Sequence, residues 1–336
     1  MFRDKKLTYS LFVLLILSGT VFWLNTKQNQ TLTKTLFAMG TAFEITATGK
    51  NAEKAIGAAF DEIKRIEALT TLNDNSQLTE INNQAGISKV KVDPAIIEIL
   101  NVVKAFYPKL DQVFDPTIAP LIQLWGFSAE QNPRLPSKQA INTTLSLVNF
   151  NLVEFDPKQQ TVFLTQPGMK LDFGGIAKGY AIDRAYDILK KHGIESALIN
   201  GGTSSIRVIG NKNATSQWTI GIGHPRNSET LLGTINLPND RALGTSADTQ
   251  NYFIEAETRY SHLINPQTGY PVHDKILLTV TAPNATEADL LSTALFLLPP
   301  AKIRSFLKDN PQYQVIFYDS QEQLVNLNET TFQASN

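Results

Sequence analysis

Cysteine is absent from this 336-residue chain. Its absence excludes a disulfide framework, a thiolate metal site and a cysteine nucleophile. An excess of one charge is also missing: 30 Lys and Arg stand against 31 Asp and Glu, for a net charge of −1. Without a basic stripe the chain lacks the electrostatic footprint of a nucleic-acid binder, and that partner class is set aside. No internal repeat recurs at a fixed period, and no low-complexity linker divides the body. Histidine is scarce, with four residues in all, and His192, His224 and His273 have no setting that suggests chemistry.

What is present is a hydrophobic content of 42%, enough for a sizeable core in one large domain or two small ones. Residues 1–6 carry Arg3, Lys5 and Lys6. Residues 7–24 are almost uncharged and rich in Leu, Val, Ile and Phe, at the short end of the roughly 17–25 residues that a spanning helix needs. Positive charge ahead of this stretch favours a cytoplasmic N-terminus, and Trp23 sits where an interfacial aromatic belongs. No clear A-x-A cleavage site follows, so the favoured reading is an uncleaved anchor with the body outside the inner membrane. A cleaved secretory signal is the alternative. Residues 25–36, rich in Thr, Gln and Lys, read as a tether.

The body alternates strand and helix patterns. Residues 41–48 alternate as a strand does, and 52–69 place Ile56, Ala59, Phe60, Ile63 and Ile66 at helical spacing. Asp93-Pro94 opens a second helix through residue 107; 121–127 read as a helical end and 128–136 as a loop. Short strands are expected at 161–164 and 169–173. A helix over 178–192 stops at Gly193. Strands follow up to Ile222 and over 231–237, 253–264 and 277–281, then a helix over 286–296 and a final helix–strand pair. This interleaving predicts a single α+β (mixed α/β) body.

The run Leu171-Asp172-Phe173-Gly174-Gly175-Ile176-Ala177-Lys178-Gly179-Tyr180-Ala181 joins an apolar strand to a helix through two glycines. Glycines let a backbone approach a ligand closely, and amides at a helix start attract phosphate. The spacing matches neither G-x-G-x-x-G nor the P-loop. Taken alone, a tight strand-to-helix turn with a solvated lysine explains it equally well. Asn200-Gly201-Gly202-Thr203-Ser204-Ser205 and Ala242-Leu243-Gly244-Thr245-Ser246-Ala247-Asp248 are two further apolar runs opening into small and hydroxyl residues. Ser261-His262-Leu263-Ile264-Asn265-Pro266-Gln267-Thr268-Gly269 follows, and then a helix with Asp289 and Thr293 four residues apart. Side chains at that spacing share a helix face, and a carboxylate with a hydroxyl suits a hard cation such as Mg²⁺. By spacing alone, a solvated acid near the helix start beside a packed threonine is the commoner reading. Likewise, a lone strand histidine is usually a hydrogen-bonded core or surface residue.

In this order, over about residues 37–318, these segments resemble the ApbE family of flavin transferases (FAD:protein FMN transferases). The resemblance makes residues 37–330 the transferase domain and implies a T-fold-like arrangement of sheet and helices behind the N-terminal hydrophobic helix. It implies that FAD, as substrate, meets Met39, Leu72, Val113, Phe114, Asp115, Asp172, Lys178 and Ile264. Leu72 departs from the family, which often has tyrosine there. It implies metal ligation by Asp289, Thr293 and the carbonyl of Gly175, with Mg²⁺ as cofactor. His262 becomes the base that takes a proton from the acceptor hydroxyl, and Lys178 neutralises pyrophosphate charge. Relatives often have glycine in place of Ala247, which would cost roughly 1 kcal/mol if that backbone needed positive φ. Many relatives are lipoproteins anchored through a cysteine, a route closed to this chain. The implied reaction moves FMN from FAD to a Thr or Ser hydroxyl of a partner protein and releases AMP. The family's acceptors carry D-x-x-S/T-G-A-S/T motifs in membrane redox subunits of the sodium-pumping NADH dehydrogenase and its relatives. FAD hydrolysis to FMN and AMP, and a non-enzymatic flavin carrier at the membrane, are the competing expectations.

Overall fold

The computed structural model describes residues 30–73, 75–128, 132–202, 204–213, 216–328 and 331–335. The segment 7–24, expected to be an anchor or signal, lies outside them. Among the described residues no helix is long and apolar enough to cross a membrane.

A hairpin of β1 (Thr31–Ala38) and β2 (Thr41–Thr48) leads into helix α1 (Ala52–Thr70) and the short α2 (Gln77–Asn83). Next come β3 (Val90–Lys91), α3 (Pro94–Phe106), α4 (Ala119–Trp125), α5 (Lys138–Leu145), β4 (Val153–Asp156) and β5 (Thr161–Leu164). Helix α6 (Ala177–Lys191) precedes β6 (Ser196–Gly201), β7 (Ser205–Ile209), β8 (Trp218–His224), β9 (Asn227–Leu237) and β10 (Ala242–Ala247). The chain then forms a small hairpin, β11 (Tyr252–Glu255) and β12 (Thr258–Ser261), followed by β13 (Lys275–Ala282). Helices α7 (Ala285–Leu297) and α8 (Pro300–Asp309) and strands β14 (Gln314–Asp319), β15 (Leu324–Asn326) and β16 (Phe332–Ala334) complete it.

The frame is an eight-stranded sheet in the order β1-β2-β6-β7-β10-β13-β14-β15, antiparallel at every pairing. Helices α1, α6 and α7 pack side by side against one face. Ile56, Ile63, Ala181, Ile182, Leu290 and Leu291 meet Phe43, Ile45, Ile199, Leu278 and Val280 in the main core. The β8–β9–β16 sheet covers the other face around β7, β10, β13 and β14, closing a second cluster with Val208, Leu243 and Ile316. Strand β13 is therefore buried along its whole length, and its Ile276-Leu277-Leu278 run reads as continuous rather than alternating. A third cluster surrounds Trp125, whose indole N–H donates to the Gly269 carbonyl at 2.9 Å. The α+β class expected from the sequence is the one observed.

Three expectations are corrected. Residues 31–36 are the start of edge strand β1, not part of a tether. Thr31 and Thr33 pair through their hydroxyls with Thr48 and Thr46 across the hairpin, each at 2.8 Å, while Leu32 and Leu36 turn toward the core. Threonine counts as polar by composition yet is a strand former, and that hid the pattern. Segment 169–173 is extended but makes only an isolated bridge, Lys170 to Ile118. The Asn82 side chain takes the place of a neighbouring strand, accepting from Leu171 N at 2.6 Å and donating to Leu171 O at 3.0 Å. The expected strand 253–264 folds back as the β11–β12 hairpin. Its turn residues Ala256 and Glu257 take φ of 47° and 62° without the glycine or asparagine that signals such a turn. His262 therefore follows the end of a strand instead of lying within one.

Candidate functional site

A cleft of about 250 Å³ opens where the N-terminus of α6, the end of β10 and helix α7 converge. Val113, Phe114, Asp115, Asp172, Gly175, Lys178, His262, Ile264, Asp289 and Thr293 all line it. Met39 and Leu72 line a neighbouring cleft that shares Asp172, Gly174 and Lys178 as its wall. The residues singled out in the sequence thus line two adjoining clefts, with Leu72, on the second, 41% exposed.

Two glycines determine how closely α7 approaches this groove. A Cβ on Gly179 would sit 2.1 Å from the Ala285 carbonyl oxygen and 2.7 Å from Asp289 Cβ. A Cβ on Gly244 would sit 2.2 Å from the Ala288 oxygen. Because neither exists, α7 rests directly on the first turn of α6 and on β10. Helix α6 starts without a side-chain cap from Ile176. Asp289 serves instead, its Oδ2 accepting from Gly179 N at 2.9 Å, while its Oδ1 accepts from Ser205 Oγ at 2.9 Å. In return Asp183 of α6 accepts from Ala285 N and Thr286 N, both at 2.8 Å, at the start of α7. Each helix caps the other.

Asp289 is 4% exposed, and its partners are neutral donors; among the described residues it has no ion pair. A buried carboxylate without a counter-charge is costly. Thr293 Oγ1 lies 3.3 Å from Ser246 Oγ and beside Gly175, where a Cβ would come within 3.2 Å of it. One carboxylate, a hydroxyl and the backbone carbonyl of Gly175, which lines the same cleft, are hard oxygen donors that leave positions for water and phosphate, and so they fit Mg²⁺. Among the described residues no three His, Asp or Glu cluster as a protein-only cage.

Asp172 Oδ1 accepts from Gly174 N at 2.6 Å and so folds the glycine turn. Burial pushes its carboxyl up, with the Gly174 amide and Lys178 opposing that shift. Lys178 Nζ donates to the Gly174 carbonyl at 3.2 Å and forms no ion pair among the described residues. Asp115 is placed in the wall but its carboxylate is spent. It accepts from Tyr107 OH and Phe150 N at 2.9 Å, Thr117 N at 2.8 Å and Thr117 Oγ1 at 2.6 Å. Its side chain shapes the 113–117 loop and leaves only backbone for a ligand. Met39 occupies the β1–β2 turn with φ of 50°, and its N–H donates to Glu67.

His262 projects from the far wall. Its backbone N–H donates to the Asn251 carbonyl at 2.9 Å, and Nδ1 lies 3.3 Å from the same oxygen. A ring donating through Nδ1–H keeps Nε2 as a lone-pair base. Burial holds its pKa below 6.5, so the neutral form is ready at pH 7; Lys178 acts in the same direction, while the Asn251 carbonyl and Asp248 oppose. Ala247 lies within β10 without positive φ, so alanine there carries no backbone strain. Ser205, Ser246 and Asn251 were not assigned from the sequence. The hydroxyl-rich runs hinted at the two serines, whereas a backbone carbonyl such as that of Asn251 leaves no trace in residue identity.

The same fold occurs in solved flavin-transferase structures. The ApbE protein of Thermotoga maritima superposes with a TM-score of 0.81 at 32% identity, covering 88% of this chain and 97% of that one. The apo flavinyl transferase ApbE of Pseudomonas stutzeri gives 0.76 at 28% identity, covering 86% and 91%. A Klebsiella pneumoniae protein named FAD:protein FMN transferase is 32% identical over 278 residues, 81% of this chain and 84% of its own length. The ApbE family model matches residues 39–317, and the chain belongs to the ApbE family.

Proposed function

We propose that this chain transfers FMN from FAD to a serine or threonine hydroxyl of a partner protein and releases AMP. The observation that carries the reading is the meeting, in one cleft, of a helix N-terminus with Lys178, a buried Asp289 that has no ion pair among the described residues, and the imidazole of His262. The Gly174-Gly175 turn, the start of α6 and Lys178 attract the pyrophosphate. Met39, Leu72, the 113–115 backbone and Ile264 line the space for the rest of FAD. Asp289, Thr293 and the Gly175 carbonyl would hold Mg²⁺, which supplies charge stabilisation at the FMN phosphoryl group and on departing AMP. His262 Nε2 takes the hydroxyl proton as the acceptor oxygen bonds to the FMN phosphorus. The bond from that phosphorus to the AMP oxygen breaks, and AMP leaves with the electron pair.

The uncharged run 7–24 behind Arg3, Lys5 and Lys6 supports a catalytic body on the outer face of a bacterial inner membrane, held by a single-pass anchor or, after cleavage, free in the periplasm. Acceptors bearing D-x-x-S/T-G-A-S/T, in a sodium-pumping NADH dehydrogenase or a related redox complex, would then share that surface. A tether raises their effective concentration without new contacts.

The test incubates the full chain in detergent with FAD, Mg²⁺ and an acceptor carrying this motif, followed by intact-protein mass spectrometry. An EDTA-sensitive gain of one FMN-phosphoryl unit on the acceptor is the expected result. Free FMN and AMP without that gain would make the protein a hydrolase. Bound FAD with no product would make it a carrier.

A further inference from the structure

His262 follows the end of β12, so the orientation of its ring depends on the connection between β10 and β11. Asn251 in that connection supplies the carbonyl that meets both the His262 amide and Nδ1. Three residues earlier stands Asp248, 8% exposed, whose carboxylate receives both terminal nitrogens of Arg226 at 2.6 and 2.7 Å. Arg259 Nε lies 4.0 Å from the same carboxylate, and its guanidinium stacks 3.6 Å over the Tyr252 ring. The Asp248 N–H donates to the Ile276 carbonyl at 3.0 Å, tying the segment to β13. Arg226 comes from the β8–β9 turn, in the sheet on the opposite face of the frame. A two-pronged guanidinium–carboxylate contact fixes direction as well as distance. Neither Arg226 nor Asp248 lines the cleft, whereas Ala247, Gln250 and Asn251 do.

We propose that Arg226 and Asp248 are positioning residues for His262. Their fork holds segment 248–251 so that the Asn251 carbonyl takes the Nδ1–H and Nε2 faces the groove. The inference rests on the reading of His262 as the base. The charges that reach the imidazole are Lys178 from α6 and Asp248 from the loop, the latter masked by Arg226 and Arg259. Asp115, Asp172 and Asp289 line the same cleft.

Arg226→Met unmasks the Asp248 charge and Asp248→Asn removes it, so the two variants displace the acid limb of the rate in opposite directions. The experiment measures kcat, and KM for FAD and for acceptor, with the full chain from about pH 5 to 9. His262→Ala and Arg226→Lys are run alongside. Arg226→Met should lower kcat about 10-fold or more through lost alignment, with KM for FAD little changed. Its acid limb should move up by roughly half a pH unit, and that of Asp248→Asn down by a similar amount. Arg226→Lys should fall between wild type and Arg226→Met, since lysine keeps charge but cannot fork. Wild-type kcat and limb in both variants overturn the proposal. So does a uniform loss with an unmoved limb, which a merely structural ion pair would give. If Arg226→Met fails to fold, Asp248→Asn, which leaves no unpaired buried carboxylate, decides alone by the same criteria. A wild-type rate in His262→Ala overturns the base reading itself, a different failure from an inactive His262→Ala with unmoved limbs.

Discussion

The two walls of the groove are built on opposite plans. On one side α7 packs backbone against backbone on α6 at Gly179 and on β10 at Gly244, and α6 and α7 cap each other through Asp183 and Asp289. On the other side His262 hangs from a hairpin end and a loop, held by one shared carbonyl and a more distant ion pair. The first wall presents fixed charge and dipole, which act best when they need no reorganisation. The second carries His262, the group that the proposed function makes the base, with the Asn251 carbonyl 3.3 Å from its Nδ1. Under the proposed function, rigidity is concentrated where charge would be stabilised, and adjustable contacts where a proton would move.

Several changes would break or sharpen that contrast. The largest effect is expected from His262→Ala, which should lower transfer by about 10²–10⁴-fold with thermal stability nearly unchanged. A matching drop in melting temperature would mean the loop wall is as structural as the helical one. Asp289→Asn should weaken Mg²⁺-dependent transfer less severely and reduce the thermal shift on adding Mg²⁺. The apo-protein should keep its stability or gain a little, because asparagine still accepts from Gly179 N and the uncompensated charge is gone. A marked destabilisation would show that Asp289 is chiefly a cap. Gly179→Ala should cost about 1–3 kcal/mol in urea unfolding, since α7 must move to admit the methyl group. The smallest effect concerns pH. Because the His262 pKa lies below 6.5, the rate should hold through neutrality and fall only as pH drops beneath that value. The neutral ring is favoured in the folded state, so this residue's share of stability is present above pH 6.5 and declines as acid protonates it. A rate limb above 6.5 would place another group in control.

Local patterns were legible in the sequence, and contacts across the fold were not. Asp289 and Thr293 could be paired because helical spacing stacks them, and Gly174-Gly175 with Lys178 because a turn is a local object. The i,i+4 rule says nothing of Ser205 or Gly179, which reach Asp289 through the packing of α7. Asp115 shows the reverse error. Its place in the wall was legible, but nothing in the sequence showed that Tyr107, Thr117 and Phe150 occupy its carboxylate. Strand β1 was missed because threonine supplied both the polar composition and the strand propensity. The β11–β12 turn was missed because Ala256 and Glu257 take a conformation that their chemistry does not favour.

The mutual capping of α6 and α7 bears on how this part of the molecule opens. The amide of Gly179 is closed by a carboxylate on α7, and the amides of Ala285 and Thr286 by a carboxylate on α6. Separating the two helices would uncap both starts at once, although 110 residues of chain separate Gly179 from Asp289. In native-state hydrogen exchange these three amides should therefore exchange together, as one cooperative unit that joins distant stretches of the chain.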